Sequence, residues 1–373
     1  MKKYIISSAI IGLLAISISA AAQTSSAKGL KDAIGGKFLI GTAMNTSQIM
    51  EKDTPAVQLI RKHFNGIVAE NCMKSMYLQP REGEFYFDEA DRLVAFGEKY
   101  GITVTGHTLI WHSQAPRWFF TDGGGKTVSR EVLIERMRKH IHTVVGRYKG
   151  RVKGWDVVNE AVLDDGRLRE SPFLRIIGPD YLRLAFEFAR EADPEAELYY
   201  NDYSMAIPEK RQGVLKMVQS LLDQGARIDA IGMQGHLNMT FPSVDEFEAS
   251  LLAFASLGVK VMITELDLSA LPEPQPQGGS DIGRRVAADK TLNPYVDGLT
   301  AEAEKAWSTQ LLAFFDLFRK HADKITRVTF WGVSDATSWK NNFPVFGRTD
   351  YPLIFDRAHK EKPVVDMIIK LYE

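Results

Sequence analysis

The sequence predicts an α/β fold, a (β/α)8 TIM barrel in a single domain, from three observations. Eight short apolar runs alternate with longer stretches of helical period. The runs are apolar on both faces, which is typical of parallel strands that are buried on each side. From about Gly29 onward, no linker or short-period repeat divides the chain. Eight such units joined by right-handed crossovers close into a barrel.

The predicted strands occupy residues 38–42, 66–70, 103–108, 154–159, 197–201, 230–235, 259–265 and 328–333. An open doubly wound sheet is the alternative arrangement of such units. No Gly-x-Gly-x-x-Gly turn follows the first strand, and eight units fit a closed barrel better than an open sheet.

Helical spacing is clearest between Val132 and Tyr148, with Ser129 placed to cap the start of the helix. Similar spacing occurs at 181–189, 214–222, 247–257 and 306–318. A stretch rich in Pro and Gly interrupts the pattern after the seventh strand. It predicts a long loop inserted in the barrel at about 271–299, with a short helix near 281–289.

Composition excludes several classes of protein. The chain has 373 residues, is 45% apolar, and carries 46 Lys and Arg against 47 Asp and Glu. A disordered chain would be less apolar, and a nucleic-acid-binding protein would have an excess of positive charge. Cys72 is the only cysteine, so no disulfide can form within the chain. We expect Cys72 to be a small buried filler.

The first residues predict export. Lys2 and Lys3 precede a mostly apolar run that ends in small residues at Ala20 to Ala22, which is typical of a signal peptide at residues 1–22. An uncleaved membrane anchor is the alternative, but the run contains serines and is shorter than about 20 apolar residues. We therefore expect a periplasmic or secreted monomer without stable membrane association, in which residues 29–373 form the (β/α)8 barrel domain.

Polar and aromatic side chains follow at least seven of the predicted strands, at the end of a barrel where chemistry is built. They are Glu70, Asn71, His107, Trp111, Asn159, Glu160, Asn201, Asp202, Tyr203, Gln234, His236, Glu265, Asp267 and Trp331. A single one of these side chains would usually cap the next helix or satisfy a loop. The set together predicts a functional site at one rim of the barrel.

Glu160 and Glu265 are the most informative pair. They end the fourth and seventh predicted strands, which face each other across the mouth of a barrel. Two facing carboxyls suit glycoside hydrolysis, and Trp111, Trp331 and Trp339 offer flat surfaces for sugar rings. A lone glutamate at a strand end is more often part of a salt bridge, but the pair together with the tryptophans favours catalysis.

A metal site is the main competing chemistry, with His107, His112 and His236 as candidate ligands. His107 and His112 are too far apart in sequence for a compact ligand pair, and no His-Glu-x-x-His motif occurs. A Ser-His-Asp hydrolase is disfavoured because no Gly-x-Ser-x-Gly turn is present. We therefore expect no metal and no organic cofactor.

Several motifs occur together in a fixed order. They are Ala69-Glu-Asn-Cys-Met-Lys74, Gly106-His-Thr-Leu-Ile-Trp-His-Ser-Gln114, Trp155-Asp-Val-Val-Asn-Glu160, Asn201-Asp-Tyr203, Gly232-Met-Gln-Gly-His236, Ile263-Thr-Glu-Leu-Asp267 and Trp331-Gly-Val-Ser-Asp335, followed by Trp339. With this ordered set the chain resembles glycoside hydrolase family 10, the retaining endo-β-1,4-xylanases, from about Gly29 to Glu373.

The resemblance implies specific roles. Glu160 would be the acid/base and Glu265 the nucleophile. Asn159 would hold the 2-hydroxyl of the sugar, and His236, oriented by Asp267, would bond the nucleophile. The residues implied to line the glycone side are Glu70, Asn71, Lys74, His107, Trp111, Gln114, Gln234, Trp331 and Trp339. Tyr203 is implied on the leaving-group side.

The function implied is endo-hydrolysis of β-1,4-xylosidic bonds in xylan and xylo-oligosaccharides by double displacement. A related barrel endo-β-1,4-glucanase is an alternative, because it would share the paired glutamates. A catalytically silent carbohydrate-binding protein is an alternative of another class. The presence of both glutamates argues against a silent protein.

Overall fold

A computed structural model describes residues 28–274, 281, 283 and 285–373. The signal peptide predicted at residues 1–22 lies outside the described residues, and so does part of the loop predicted at about 271–299. None of the helices in the described ranges combines the length and the apolar character needed to cross a bilayer.

The strands form one closed parallel barrel. They are β1 (Leu39–Met44), β2 (Gly66–Ala69), β3 (Thr103–Trp111), β4 (Gly154–Asn159), β5 (Glu197–Asp202), β6 (Ala230–Met233), β7 (His236–Asn238), β8 (Lys260–Ser269) and β9 (Ile325–Phe330). They are ordered β6-β5-β4-β3-β2-β1-β9-β8-β7, and an additional pairing of β6 with β8 closes the ring. The predicted (β/α)8 barrel is confirmed.

The sixth predicted strand, at 230–235, is divided in two. β6 ends at Met233, and Gly235 has a φ of 80°, a left-handed conformation that favours glycine. β7 then begins at His236 and pairs with the far end of β8, so that His236 lies beside Asp267. The seventh and eighth strands of the barrel are therefore β8 and β9.

Two strands extend farther than predicted, and both extensions carry site residues. β3 continues to Trp111, and a register irregularity between His107 and Ile110 brings Trp111 beside Asn159 of β4. β8 continues to Ser269 and has a similar irregularity in its pairing with β9. Such irregularities redirect side chains and are common next to active sites.

The helices pack around the barrel. They are α1 (Leu30–Ile34), α2 (Thr46–Ile49), α3 (Thr54–His63), α4 (Ser75–Leu78), α5 (Asp88–Tyr100), α6 (Arg130–Arg147), α7 (Pro172–Ile177), α8 (Asp180–Ala192), α9 (Pro208–Asp223), α10 (Val244–Ala255), α11 (Ala301–Lys320) and α12 (Pro363–Tyr372). The side chain of Ser129 caps α6 as predicted, by accepting from the Val132 N–H.

The short helix predicted near 281–289 is wrong for the residues described there. Asp281 and Asp289 instead use their carboxylates to accept from the backbone N–H groups of Gly283 and Thr291. Side-chain acceptors of this kind compete with helix formation. The Val286 N–H donates to the Pro344 carbonyl, and only a 3-10 turn at Lys290–Leu292 follows.

The core lies between the strands and the surrounding helices. Helix α8 shows the pattern, because Leu182, Phe186 and Ala189 on one face are buried. Burying a side chain the size of Phe or Leu contributes about 1.5–3 kcal/mol. This apolar layer holds the strands in place, and their carboxyl ends carry the polar side chains described next.

Candidate active site

A cavity of about 150 Å³ lies at the carboxyl ends of the barrel strands. It is lined by Glu70, Asn71, Lys74, His107, Trp111, Gln114, Asn159, Glu160, Gln234, His236, Glu265, Trp331 and Trp339. The structure therefore brings together all of the residues to which the resemblance gives a role, except Asp267 and Tyr203. Asp267 is fully buried behind His236, and Tyr203 is described below.

Glu160 directly follows the last residue of β4. Its backbone has a φ of 58°, which is uncommon for a residue other than glycine and is often found at functional sites. Its carboxyl group accepts from Trp111 Nε1 at 2.8 Å and from Gln234 Nε2 at 3.1 Å. Both donors are neutral, and the side chain is almost fully enclosed.

The pKa of Glu160 is raised to about 7. Burial is the largest cause, and the negative charge of Asp202 adds to it. The hydrogen bonds from Gln234 and Trp111 oppose the rise in pKa but do not cancel it. Glu160 therefore keeps its proton in weakly acidic solution, as a general acid requires.

Glu265 lies in β8 and has a different set of donors. Its Oε1 accepts from Asn201 Nδ2 at 2.8 Å, and its Oε2 lies 3.2 Å from His236 Nε2. Burial raises the pKa of Glu265, but the hydrogen bond from His236 and the charges of His107 and His236 outweigh burial. The pKa of Glu265 therefore lies below its ordinary value, and the carboxylate is ionised.

His236 is held between two carboxylates. Its Nδ1 lies 2.9 Å from Asp267 Oδ2, and Trp339 Nε1 donates to the same oxygen at 2.8 Å. Burial lowers the pKa of His236, but Asp267 and Glu265 more than compensate, and the pKa rises to about 9. At neutral pH the protonated ring donates to both carboxylates.

Asn201 is a site residue that the sequence analysis placed at a strand end but gave no role. Its amide nitrogen donates to Asn159 Oδ1 at 3.0 Å as well as to Glu265, so it links the end of β4 to the middle of β8. Gly232 leaves room for it, since a Cβ at that position would lie 2.4 Å from Asn201 Oδ1. The motif Asn201-Asp-Tyr203 was the signal that could have identified this residue.

Lys74 organises one side of the cavity. Its ammonium donates to Asn71 Oδ1 and to Gln114 Oε1, each at 3.0 Å, and lies 5.0 Å from the Trp111 ring. Burial lowers the pKa of Lys74 and raises the pKa of Glu70. This side of the cavity therefore offers several polar groups to the hydroxyls of a ligand.

His107 is fixed by a partner that the sequence analysis missed. Its Nδ1 lies 2.9 Å from Asp156 Oδ2, and both side chains are buried. The register of β3 and β4 makes His107 and Asp156 direct neighbours. The His107 ring meets Trp331 edge to face at 5.3 Å, so Asp156 also helps to orient this wall of the cavity.

The structure places Tyr203 outside this cavity. The side chain is buried, its hydroxyl accepts from Arg169 Nη2 at 2.7 Å, and the Lys210 ammonium lies 3.5 Å from the ring centroid. Arg169 and Lys210 had no role in the sequence analysis, because both reach the site from segments that fold back onto β4 and β5.

The site shows no arrangement suited to a metal. In the part of the chain that the structure describes, no three His, Cys, Asp or Glu side chains are grouped so that they could hold a metal ion. The chemistry that the geometry does support is acid/base and nucleophilic catalysis by two carboxyls of different pKa.

Comparisons with known proteins show the family of this chain. The family model described as glycosyl hydrolase family 10 matches residues 29–371. Endo-1,4-beta-xylanase A of Xylanibacter ruminicola is 53% identical over 363 residues, which cover 97% of this chain and 98% of that protein. An endo-1,4-beta-xylanase of Geobacillus stearothermophilus is 42% identical over 350 residues, covering 93% of this chain and 99% of that protein.

Solved structures match in the same way. A GH10 endoxylanase retrieved from sugarcane soil metagenome has a TM-score of 0.90 and 43% identity, covering 92% of this chain and 100% of that one. A xylanase from Paenibacillus barcinonensis, complexed with a conduramine derivative, has a TM-score of 0.83 and 42% identity, covering 91% and 98% of the two chains. The chain belongs to glycosyl hydrolase family 10.

Proposed function

We propose that this chain is an endo-1,4-β-xylanase that hydrolyses internal β-1,4-xylosidic bonds of xylan and xylo-oligosaccharides with retention of anomeric configuration. One observation carries the proposal: Glu160 and Glu265 line the same cavity, and their pKa values are displaced in opposite directions. The relatives named endo-1,4-beta-xylanase support the choice of substrate.

In the first step, Glu160 donates its proton to the glycosidic oxygen while Glu265 attacks the anomeric carbon. The bond between that carbon and the leaving oxygen breaks, and a glycosyl ester forms on Glu265. His236 supports this step, because its positive charge keeps Glu265 ionised before the attack.

In the second step, Glu160 acts as a base, because it lost its proton in the first. It takes a proton from water, and the oxygen of that water attacks the anomeric carbon. The ester bond to Glu265 breaks, and both carboxyls return to their starting states. Two inversions at one carbon give a product of the original configuration.

The other site residues bind and orient the sugars. Asn159 is assigned the 2-hydroxyl, a contact that tightens as positive charge develops on the ring. The remaining residues that line the cavity are assigned to the glycone side. Tyr203 is assigned to the leaving-group side, although its side chain is buried outside the cavity.

Gln114 and Trp339 are assigned the discrimination between xylose and glucose. Xylose lacks the hydroxymethyl group at C5, so a wall close to that position rejects glucose by crowding it. Trimming both residues, with Q114G and W339F, should raise kcat/KM on an aryl cellobioside relative to the matching xylobioside. An unchanged ratio would place the wall elsewhere.

Product analysis on soluble xylan, carboxymethyl cellulose and mannan tests the proposed function. Xylo-oligosaccharides of mixed length from xylan are expected, with proton NMR showing the β anomer first. Preferential release of reducing sugar from carboxymethyl cellulose would favour the endoglucanase alternative. Absence of reducing sugar from all three substrates would favour the silent binding protein.

We further propose that residues 1–22 are a cleaved signal peptide and that the exported chain, periplasmic or secreted, is a monomer with one catalytic domain. The apolar run flanked by Lys3 and Ala20 supports cleavage. N-terminal sequencing of the exported protein tests it, with a start just after Ala22 as the expected result. An intact N-terminus in the membrane fraction would overturn it.

A further inference from the structure

Arg169 lies behind the backbone of Glu160 and contacts three separate parts of the molecule. Its Nε donates to the Glu160 carbonyl at 3.0 Å, and its Nη2 donates to the Tyr203 hydroxyl at 2.7 Å. Its Nη1 lies 3.3 Å from Asp281 Oδ2, in the loop that follows β8. The side chain is only 12% exposed, so these contacts are largely shielded from solvent.

The chain that follows β4 brings Arg169 to this position. Val162 and Leu168 form an antiparallel bridge, and the Arg169 N–H donates to the Ala161 carbonyl at 2.8 Å. The turn therefore returns directly onto the residue after Glu160. Backbone hydrogen bonds fix the turn, so the backbone of Arg169 has a defined position. Less conformational entropy is therefore lost when its guanidinium forms these contacts.

The contact with the Glu160 carbonyl matters because Glu160 has a left-handed backbone conformation. A conformation of this kind costs about 1–3 kcal/mol for a residue other than glycine, and it persists only where its surroundings hold it. A hydrogen bond from a guanidinium is charge-assisted and stronger than a neutral one. Arg169 therefore stabilises the peptide group from which the acid/base side chain projects.

The direction of that side chain decides whether its proton reaches the leaving oxygen. Proton transfer needs an approach to hydrogen-bond distance, and small misplacements lower the rate considerably. Glu265, the proposed nucleophile, lies on β8 and is held by Asn201 and His236. Arg169 instead contacts Glu160, Tyr203 and Asp281. Loss of Arg169 should therefore disturb proton donation far more than nucleophilic attack.

We propose that Arg169 is a positioning residue for the acid/base Glu160, and that its ion pair with Asp281 couples the loop after β8 to proton donation. This inference rests on the proposed function and deepens it. Arg169 acts through the Glu160 backbone and the Tyr203 hydroxyl, and Asp281 acts through Arg169. A segment outside the barrel thus contributes to the geometry of the catalytic acid.

The test compares two aryl β-xylobiosides that differ only in the leaving group. A 2,4-dinitrophenyl group departs without protonation, whereas a phenyl group needs it. R169M should lower kcat/KM on the phenyl substrate at least tenfold more than on the dinitrophenyl substrate. D281N should shift the ratio in the same direction by a smaller factor, since it removes the negative charge from one of the three contacts of Arg169 and leaves the other two unchanged.

R167M is the matched control. Arg167 belongs to the same turn, pairs with Asp165, and has a side chain that is 77% exposed. Replacing Arg167 should leave kcat/KM unchanged on both substrates. Melting temperatures of all variants show whether the turn is intact, and R169K and D281N provide the test if R169M does not fold.

Equal losses on both substrates in R169M or R169K would overturn the inference, because a general structural defect slows both reactions alike. An unchanged ratio in D281N would overturn the part that concerns the loop. Wild-type turnover of soluble xylan is measured in the same series. Its absence would refute the proposed function, whereas its presence with a symmetric loss in the variants would refute only the role of Arg169.

Discussion

The surroundings of Glu160 at the end of β4 and those of Glu265 in β8 differ chiefly in the charge of the groups that face each carboxyl. Both residues are 5% exposed. Glu160 accepts from two neutral donors, Trp111 and Gln234, and its pKa rises to about 7. Glu265 accepts from His236, which is held as a cation by Asp267, and its pKa falls.

Burial alone therefore does not decide the charge of a carboxyl. Desolvation raises both pKa values, and the charge of the donor determines which residue nevertheless stays ionised. The neutral donors of Glu160 offset only part of the free-energy cost of burying its charged form. For Glu265, the cationic donor His236 helps to offset that cost. One cavity thus holds a carboxyl that keeps its proton and a carboxyl that is ionised.

Removing each carboxyl should give the largest effects and the sharpest contrast. E265A should abolish turnover of every substrate, because it removes the proposed nucleophile. E160A should lower the rate by a factor of roughly 10²–10⁴ on substrates with poor leaving groups, and by little on substrates with good ones. Azide should partly rescue E160A by forming a β-glycosyl azide. Identical responses of the two variants would show that the roles are wrongly assigned.

The next largest effect concerns pH. The proposed mechanism requires protonated Glu160 and ionised Glu265, so kcat/KM should fall as pH rises through about 7 and fall again in acid below the ordinary pKa of a glutamate. H236N should raise the pKa of Glu265 and move the acidic limb to higher pH, because it removes the cationic donor. A profile in which only the alkaline limb moves would contradict the assignment.

Stability should show the same contrast at smaller scale. The pKa of Glu160 is raised on folding from an ordinary value of 4.5 to about 7. Its contribution to stability is therefore present below 4.5 and lost as pH rises through 7, an effect of at most about 3 kcal/mol. E160Q should lack this loss, so its melting temperature relative to wild type should rise between pH 5 and pH 8.

Glu265 has the opposite sign. Its folded pKa is lowered, so its contribution to stability is present above the ordinary pKa and lost as pH falls. E265Q should therefore lower the melting temperature at pH 7 and approach wild type in acid. If both variants change in the same direction with pH, the difference between the two environments is not the one described.

Chelation should have the smallest effect. The proposed chemistry uses only two carboxyls and the side chains around them, so exhaustive EDTA treatment should leave the rate on xylan unchanged. Loss of turnover that a divalent ion restores would contradict this expectation. A lowered melting temperature with unchanged turnover would instead indicate an ion that only stabilises a loop.

Much of the site could be predicted because strand ends are visible in the sequence. Glu160 and Glu265 each end an apolar run, and barrel closure brings such ends to one rim. The division of β6 and β7 at Gly235 was missed, because an apolar run does not reveal where a single residue turns left-handed. Arg169 was missed because its position depends on a turn folding back, and no periodic pattern encodes that turn.

The pairing of β7 with β8 has a consequence for tolerance to insertions and deletions. His236 lies beside Asp267 because three residues of β7 are in register with the end of β8. In a strand, moving the register by one residue turns every side chain to the opposite face. One residue added between Met233 and His236 would therefore turn His236 away from Glu265 and remove its cationic donor. The barrel would still be closed by the pairing of β6 with β8. Among homologous sequences, the spacing of this segment should be more invariant than that of the other rim loops.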